Sequence, residues 1–361
     1  MLQRVQLRNN RMRKEEGEVG MGRKNKEYSK DMHQQAYDKL TGMQAFGDSK
    51  SEDKKYDREH DTDIISGKIY SFSTYKTYWK HIKYFIKWVQ ETYPECRTLK
   101  KAEKYVPEWL QTRVDQKLSA WTIQTEAASL NKLYGIKTDD PKRFQPPQRR
   151  KEDIVRSRGT KERDKHFSEQ KNEELVNFCK GCGFRRNVLE RLKGDDLYDR
   201  ARIELTLEEA RMDGDQSMIK ACADALKTFP NKEYFILHRS DKGGKTRISP
   251  IVGPNVEKIV NRMRNTKPDE LVWQYVSGNC DVHGYRSDYA TYLYREYARP
   301  IKDLKFENKI KCADGKYRSE IYTCRGDEKG KKLDRKAIGV ISIALGHNRE
   351  DTAISNYVRN L

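Results

Sequence analysis

Six residues in four separate stretches of this chain are of the types that could together act on a phosphate ester. They are Arg185 after Gly183-Phe184, Lys242 within Ser240-Asp241-Lys242-Gly243-Gly244-Lys245, His283 and Arg286 in Asp281-Val282-His283-Gly284-Tyr285-Arg286-Ser287-Asp288-Tyr289-Ala290-Thr291, and His347 with Tyr357 in the segment Leu345 to Leu361. A tyrosine hydroxyl, with an ordinary pKa of about 10, is a poor nucleophile until a base or a positive field helps it ionise. Guanidinium groups are always charged and bond in pairs. They suit the negative charge that builds on nonbridging oxygens when a phosphodiester is attacked. Each residue alone also has a plainer reading. Arg185 is a surface arginine with Arg186 as its neighbour and rival; Lys242 is a turn charge with Lys245 as its substitute; His283 is a helix-start histidine satisfied by backbone. Gly346 caps a helix that precedes an ordinary terminal one.

The elements that must carry these residues are mostly helical. From Tyr70, Phe72, Tyr75, Tyr78/Trp79, Ile82, Phe85/Ile86 and Val89 recur at helical spacing behind Ser71 or Ser73 as N-cap, with Lys76, Lys80, Lys83 and Lys87 on the other face. A second helix is expected over 100–117, kinked or started by Pro107, and a third from Ser119 to Tyr134. Beyond a proline-containing basic stretch, Ser168 is expected to cap a helix ending at Gly181/Gly183, with another over 183–192 and polar helical sequence over 203–228. Residues 234–251 read as a hairpin whose Gly-Gly turn suits positive φ. Helices are expected at 254–265, 284–298 and 334–345, with a Lys-rich loop or small hairpin over 304–332.

The chain has 361 residues and a formal net charge of +19, with 35% hydrophobic and 36% charged residues. That length allows two domains plus tails. The charge excess is spread along the chain and favours a polyanion, most commonly nucleic acid. No apolar run is long enough to span a membrane and no signal segment opens the chain, so a cytoplasmic protein is expected. The seven cysteines are expected to be free thiols; Cys179 and Cys182 form a CxxC without a second pair at zinc-finger spacing. Residues 1–65 read as a mostly flexible basic arm, with a weak helix from Ser29 to about Ala45. Glu15-Glu16-Gly17-Glu18 would have purine-rich codons just ahead of Met21, which points to Met21 as the true start.

The six residues, in this order, resemble the tyrosine recombinase (phage integrase) family, whose members carry Arg, Lys, His-x-x-Arg, Leu-Gly-His and Tyr in that sequence. The likeness covers about residues 68–361. It implies a mainly α fold: a helical, SAM-like core-binding domain over 66–140, a basic linker over 141–165, and a mixed, mostly α catalytic domain with a small antiparallel sheet over 166–361. It also implies roles. Arg185 and Arg286 would clamp the scissile phosphate with a supporting hydrogen bond from His347. Lys242 on its hairpin would be the general acid toward the leaving 5′-oxygen, and His283 the general base toward Tyr357. The implied reaction is site-specific recombination by a mobile-element enzyme, which cuts and rejoins double-stranded DNA through a 3′-phosphotyrosine. No cofactor, metal or ATP is expected. A tetramer would act on two sites, with accessory DNA-bending or directionality proteins as further partners.

Three features depart from the family pattern: the polar insert at about 203–228, the Lys-rich insert at about 302–333, and the four residues that follow Tyr357. Relatives commonly pass a C-terminal helix to a neighbouring subunit, so such an exchange would have to use another segment here. Tyr322-Thr323-Cys324-Arg325 imitates a degenerate His-x-x-Arg box but lacks its aromatic-Ala-Thr continuation. His33, His60, His81, His166 and His238 receive no role. Two rival functions remain: a non-catalytic DNA-binding regulator, against which the intact set argues, and a type IB topoisomerase-like enzyme, against which the length and two-domain layout argue.

Overall fold

The structure is a computed structural model that describes residues 30–150, 153, 166–241, 244–312, 315–325, 328–347, 352–354 and 357–358. The expectation about Met21 and most of the linker reading fall outside these residues. The fold is mainly α with small antiparallel sheets. It divides into two compact units, Met1–Arg149 and Arg150–Leu361.

In the first unit, helices α1 (Met32–Gly42), α2 (Lys50–His60), α3 (Phe72–Thr92), α4 (Val106–Asp115) and α5 (Ala120–Tyr134) are joined by turns and by single helical turns at Ile64–Gly67 and Leu99–Ala102. Asp31, Ser49, Ser71 and Ser119 each accept a backbone N–H of the first turn, which satisfies donors a helix start leaves open. The core gathers Ile82, Phe85, Ile86 and Val89 of α3, Trp109 and Leu110 of α4, and Leu130 and Leu133 of α5. Each such side chain contributes roughly 1.5–3 kcal/mol by leaving water. Lys76, Lys80, Lys83 and Lys87 stay exposed on the opposite side of α3. Pro107 lies in the first turn of α4, so it starts that helix and does not kink it.

The expected flexible arm needs correction. Residues 30–65 carry two helices, and Met32, Ala36 and Leu40 of α1 lie in the core. Their spacing of four residues puts them on one face, and α1 is the helix expected from Ser29 to about Ala45; the second helix, α2, was not expected. Asp53 of α2 then pairs with Lys68 at 2.7 Å and accepts from the Tyr70 hydroxyl at 2.7 Å, holding the segment to the start of α3.

In the second unit, α6 (Glu173–Cys182) is followed by a single helical turn at Arg186–Leu189, where a full helix over 183–192 was expected. Ser168 accepts from the Lys171 N–H and so caps a preceding turn; α6 itself has Asn172 at its N-cap. Strand β1 (Leu197–Asp199) leads into α7 (Arg200–Asp213) and α8 (Gln216–Thr228), which Gly214 separates. The expected hairpin is β2 (Tyr234–Asp241) and β3 (Lys245–Pro250), and β1 adds a third antiparallel strand along β2. Both faces of β2 are covered. Phe235 and Leu237 enter one apolar cluster and Ile236 enters the other, so the strand reads as a continuous apolar run.

Helices α9 (Val256–Arg264) and α10 (Val282–Tyr297) flank the sheet. The Lys-rich insert is two small antiparallel pairs, β4 (Lys309–Lys311) with β5 (Tyr317–Ser319), and β6 (Ile321–Thr323) with β7 (Lys332–Asp334). Asp334 then caps α11 (Arg335–Ala344) by accepting the Lys336 N–H. Tyr322 and Cys324, from the rejected box, sit in this insert. No helix among the described residues is long and apolar enough to cross a membrane.

Candidate active site

The end of α6 is the foundation of the site. Gly183 closes that helix with φ +62, and a Cβ there would fall 2.3 Å from the Tyr289 ring of α10. Only glycine fits both demands. The turn presents the Gly183 carbonyl inward and leaves Arg185 as an extended residue just ahead of the next helical turn. Arg185 and Arg186 then part ways. Arg186 is spent on the carbonyls of Ser277, Gly278 and Cys280, at 3.0, 3.3 and 2.6 Å. Arg185 turns to the other side: its Nη1 pairs with Asp241 at 2.5 Å and its Nη2 lies 3.3 Å from His347 Nε2.

Arg286 projects from α10 and is completely buried. Its Nη1 donates to the Gly183 carbonyl, and its Nη2 donates to the Leu345 carbonyl at 2.6 Å. Among the described residues no carboxylate lies within ion-pair distance, and its Nε has no hydrogen-bond partner. Burial, reinforced by the nearby Arg247 and Arg185 charges, lowers its pKa to about 9. It stays protonated near neutrality, as a buried cation that the fold does not neutralise.

Tyr357 is 6% exposed and packs on this cation, with the Arg286 Cζ 5.1 Å from its ring centroid. The His283 ring lies 4.9 Å from the Tyr357 ring and the His347 ring 5.2 Å. Ala353, Ile354 and Val358 share its apolar cluster and hold the segment in place. The His347 pKa is pushed down to about 3 by burial first, then by Arg286 and Arg185. A neutral imidazole that accepts from Arg185 at Nε2 carries its proton on Nδ1, and that atom has no partner among the described residues. Two buried N–H donors, Arg286 Nε–H and His347 Nδ1–H, therefore stand open on side chains packed against one tyrosine. Leaving such a donor unmatched costs about 1–3 kcal/mol.

Of the six candidates from the sequence, the structure gathers Arg185, His283, Arg286, His347 and Tyr357. Lys242 lies outside the described residues. Its substitute Lys245 opens β3 and is exposed. Three residues with no expected role join the cluster. Arg247 is 5% exposed and donates to Asp241 at 3.0 Å, to the Gly183 carbonyl at 3.3 Å, to His238 Nδ1 at 2.8 Å, and to the Ala344 carbonyl. His238 is fully buried, and its Nε2 lies 2.7 Å from the Ser249 hydroxyl. Burial and then Arg247 hold its pKa well below the usual imidazole value, so it is neutral, with the proton on Nε2. Asp241 is 2% exposed; burial alone would raise its pKa, but Arg247, Arg185 and Arg286 outweigh it and keep the carboxylate ionised. The available signal was the strand itself. Arg247, Ile248, Ser249 and Pro250 of β3 are all buried, as expected when both faces of a strand are covered.

Cys179 and Cys182 are buried free thiols, with the Cys179 pKa raised by burial and then by Cys280. Among the described residues no group of three or more His, Cys, Asp or Glu side chains could hold a metal ion. Known protein families and curated protein sequences give no match to this chain. Among solved structures the chain is similar to XerA recombinase at 16% identity, over 90% of this chain and 94% of that one, with a TM-score of 0.25.

Proposed function

We propose that this chain is a site-specific DNA recombinase that cuts and rejoins double-stranded DNA through Tyr357. The observation that carries the reading is the unneutralised Arg286 guanidinium, fully buried, with an open Nε–H beside the Tyr357 ring. A fold keeps an uncompensated buried cation at a cost of several kcal/mol unless an anion arrives to complete it. A phosphodiester would supply that anion, and the open His347 Nδ1–H would supply one more donor to it.

In this scheme Arg185 and Arg286 grip the nonbridging oxygens. His283, in ring contact with Tyr357, accepts the phenolic proton as the hydroxyl attacks phosphorus. Lys242 protonates the departing 5′-oxygen. The product is a 3′-phosphotyrosine, and the reverse attack by a 5′-hydroxyl reseals the strand. Bond energy is conserved in the ester, so the cycle needs neither ATP nor metal. The exposed lysines of α3 would bear on backbone phosphates. A tetramer on two sites would exchange strands in pairs.

A suicide substrate, nicked so that the cleaved end is lost, tests the scheme. The expected result is a gel-stable protein–DNA adduct in wild type and none in Tyr357→Phe. Equal adduct in Tyr357→Phe would remove the proposed nucleophile. Sequence-specific binding without any adduct would favour a regulator, and relaxation of supercoils without pairing of sites would favour a topoisomerase.

A further inference from the structure

We infer that Asp241 is the positioning residue that sets Arg185 for the phosphate, with Arg247 as the fixed point to which Asp241 is tied. The inference rests on the recombinase reading above and concerns the regulation of geometry within that same site. Three guanidinium groups converge here, and they differ in how they are held. Arg286 and Arg247 are both pinned to main-chain carbonyls at the end of α6 and the end of α11. Among the described residues Arg185 has no carbonyl partner, and its partners are Asp241 and His347.

Arg247 cannot shift easily. Four of its N–H directions are used, and Gly346, at φ +66, presses on it so closely that a Cβ there would lie 2.8 Å from the Arg247 Cδ. The same Asp241 oxygen, Oδ2, accepts from Arg247 Nε at 3.0 Å and from Arg185 Nη1 at 2.5 Å. A rigid chain thus runs from the Gly183 and Ala344 carbonyls through Arg247 and Asp241 to Arg185, and on to His347. It fixes one edge of the Arg185 fork and leaves the rest of the fork for a phosphate. Asp241 also ends β2, so the next residue in the chain is Lys242, the proposed general acid. Without the carboxylate, three like charges would share a low-dielectric pocket. Arg185, the one held by no carbonyl, would swing toward solvent.

The test is a double-mutant cycle on the nicked substrate at saturating DNA, read as the single-turnover rate of Tyr357 adduct formation. Asp241→Asn, which keeps the shape and removes the charge, is expected to slow the adduct about 10–100-fold with DNA affinity little changed, because misplacing one group by about 1 Å costs that much. In an Arg185→Ala background the same substitution should have no further effect, since Asp241 acts through Arg185. Asp241→Glu, with the charge kept but the reach altered, should lose less than Asn and also be silent in that background. Additive losses in the two backgrounds, or an unchanged rate in Asp241→Asn, would overturn the inference. So would loss of cooperative melting in both variants, since Asp241 would then hold the fold and not Arg185. Absence of a Tyr357-dependent adduct in wild type would instead bring down the recombinase reading on which all of this rests.

Discussion

Two ionic clusters in the second unit are built on opposite charge ratios. At the base of the insert, one guanidinium meets two carboxylates. Arg299 donates from its backbone N, Nε and Nη2 to Asp334 at 2.9–3.0 Å and from Nη1 to Glu320 at 3.0 Å. Glu320 also accepts from Lys305 N and Asn308 Nδ2. Asp334 is fully buried and also accepts the Lys336 N–H of α11, so the cluster is closed. Around Asp241 two guanidinium groups pair with one carboxylate and a third, Arg286, adds its charge nearby, and among the described residues donors are left open. The closed cluster holds two hairpins in place. The open one leaves a demand for an anion, which the proposed phosphate would meet.

Substitutions that break the contrast rank by size. Tyr357→Phe should abolish adduct formation outright on the nicked substrate. Arg286→Ala should slow the adduct roughly 10²–10³-fold, as expected for removal of one preorganised donor, while a gel-shift assay still registers DNA binding. Arg299→Ala should do the reverse. The adduct rate is retained, and urea unfolding reports a loss of about 1–3 kcal/mol, because Asp334 and Glu320 are left without their partner. Arg185→Ala beside Arg186→Ala sharpens the point within one dipeptide: the first should impair chemistry and the second stability, since Arg186 bonds only to carbonyls and Glu190 among the described residues.

The smallest expected effect is on pH dependence. His347 has its pKa lowered from 6.5 to about 3, so the unfolded chain binds the extra proton between those values. Stability present above about pH 6.5 is therefore lost as pH falls toward 3. His347→Gln should flatten that stretch of the curve in urea unfolding, whereas a variant that lacks the Asp334 carboxylate should change it only below the usual carboxylate range.

Much of this arrangement was legible from residue order. The helix faces of α3, α4 and α5, the β2–β3 hairpin and the two ends of α10 and α11 follow from apolar period and caps. Arg185, His283, Arg286, His347 and Tyr357 come together from far-apart positions in the chain. What escaped notice was charge that goes inside. Arg247 and Asp241 lie in a Lys- and Gly-rich hairpin and drew no role, because a hydropathy pattern does not reveal that carbonyl groups from two other helices converge on that strand. His238, buried on the same hairpin, received no role from the sequence. Strand β1, three residues long with no alternation to detect, exists only because β2 offers it an edge. The helix expected over 183–192 shrank to one turn because Leu192 and Lys193 are drawn away to pair with residues 271–272.

The Gly183 carbonyl accepts from both Arg247 and Arg286, so an atom that every residue possesses is the shared anchor of the cluster. A side chain at 183 would collide with Tyr289 and turn that oxygen away from both cations at once. A saturation scan would then score a residue with no functional group as though it were a catalytic one, and trimming the ring at 289 would relieve only the collision, since φ +62 strains any side chain at 183.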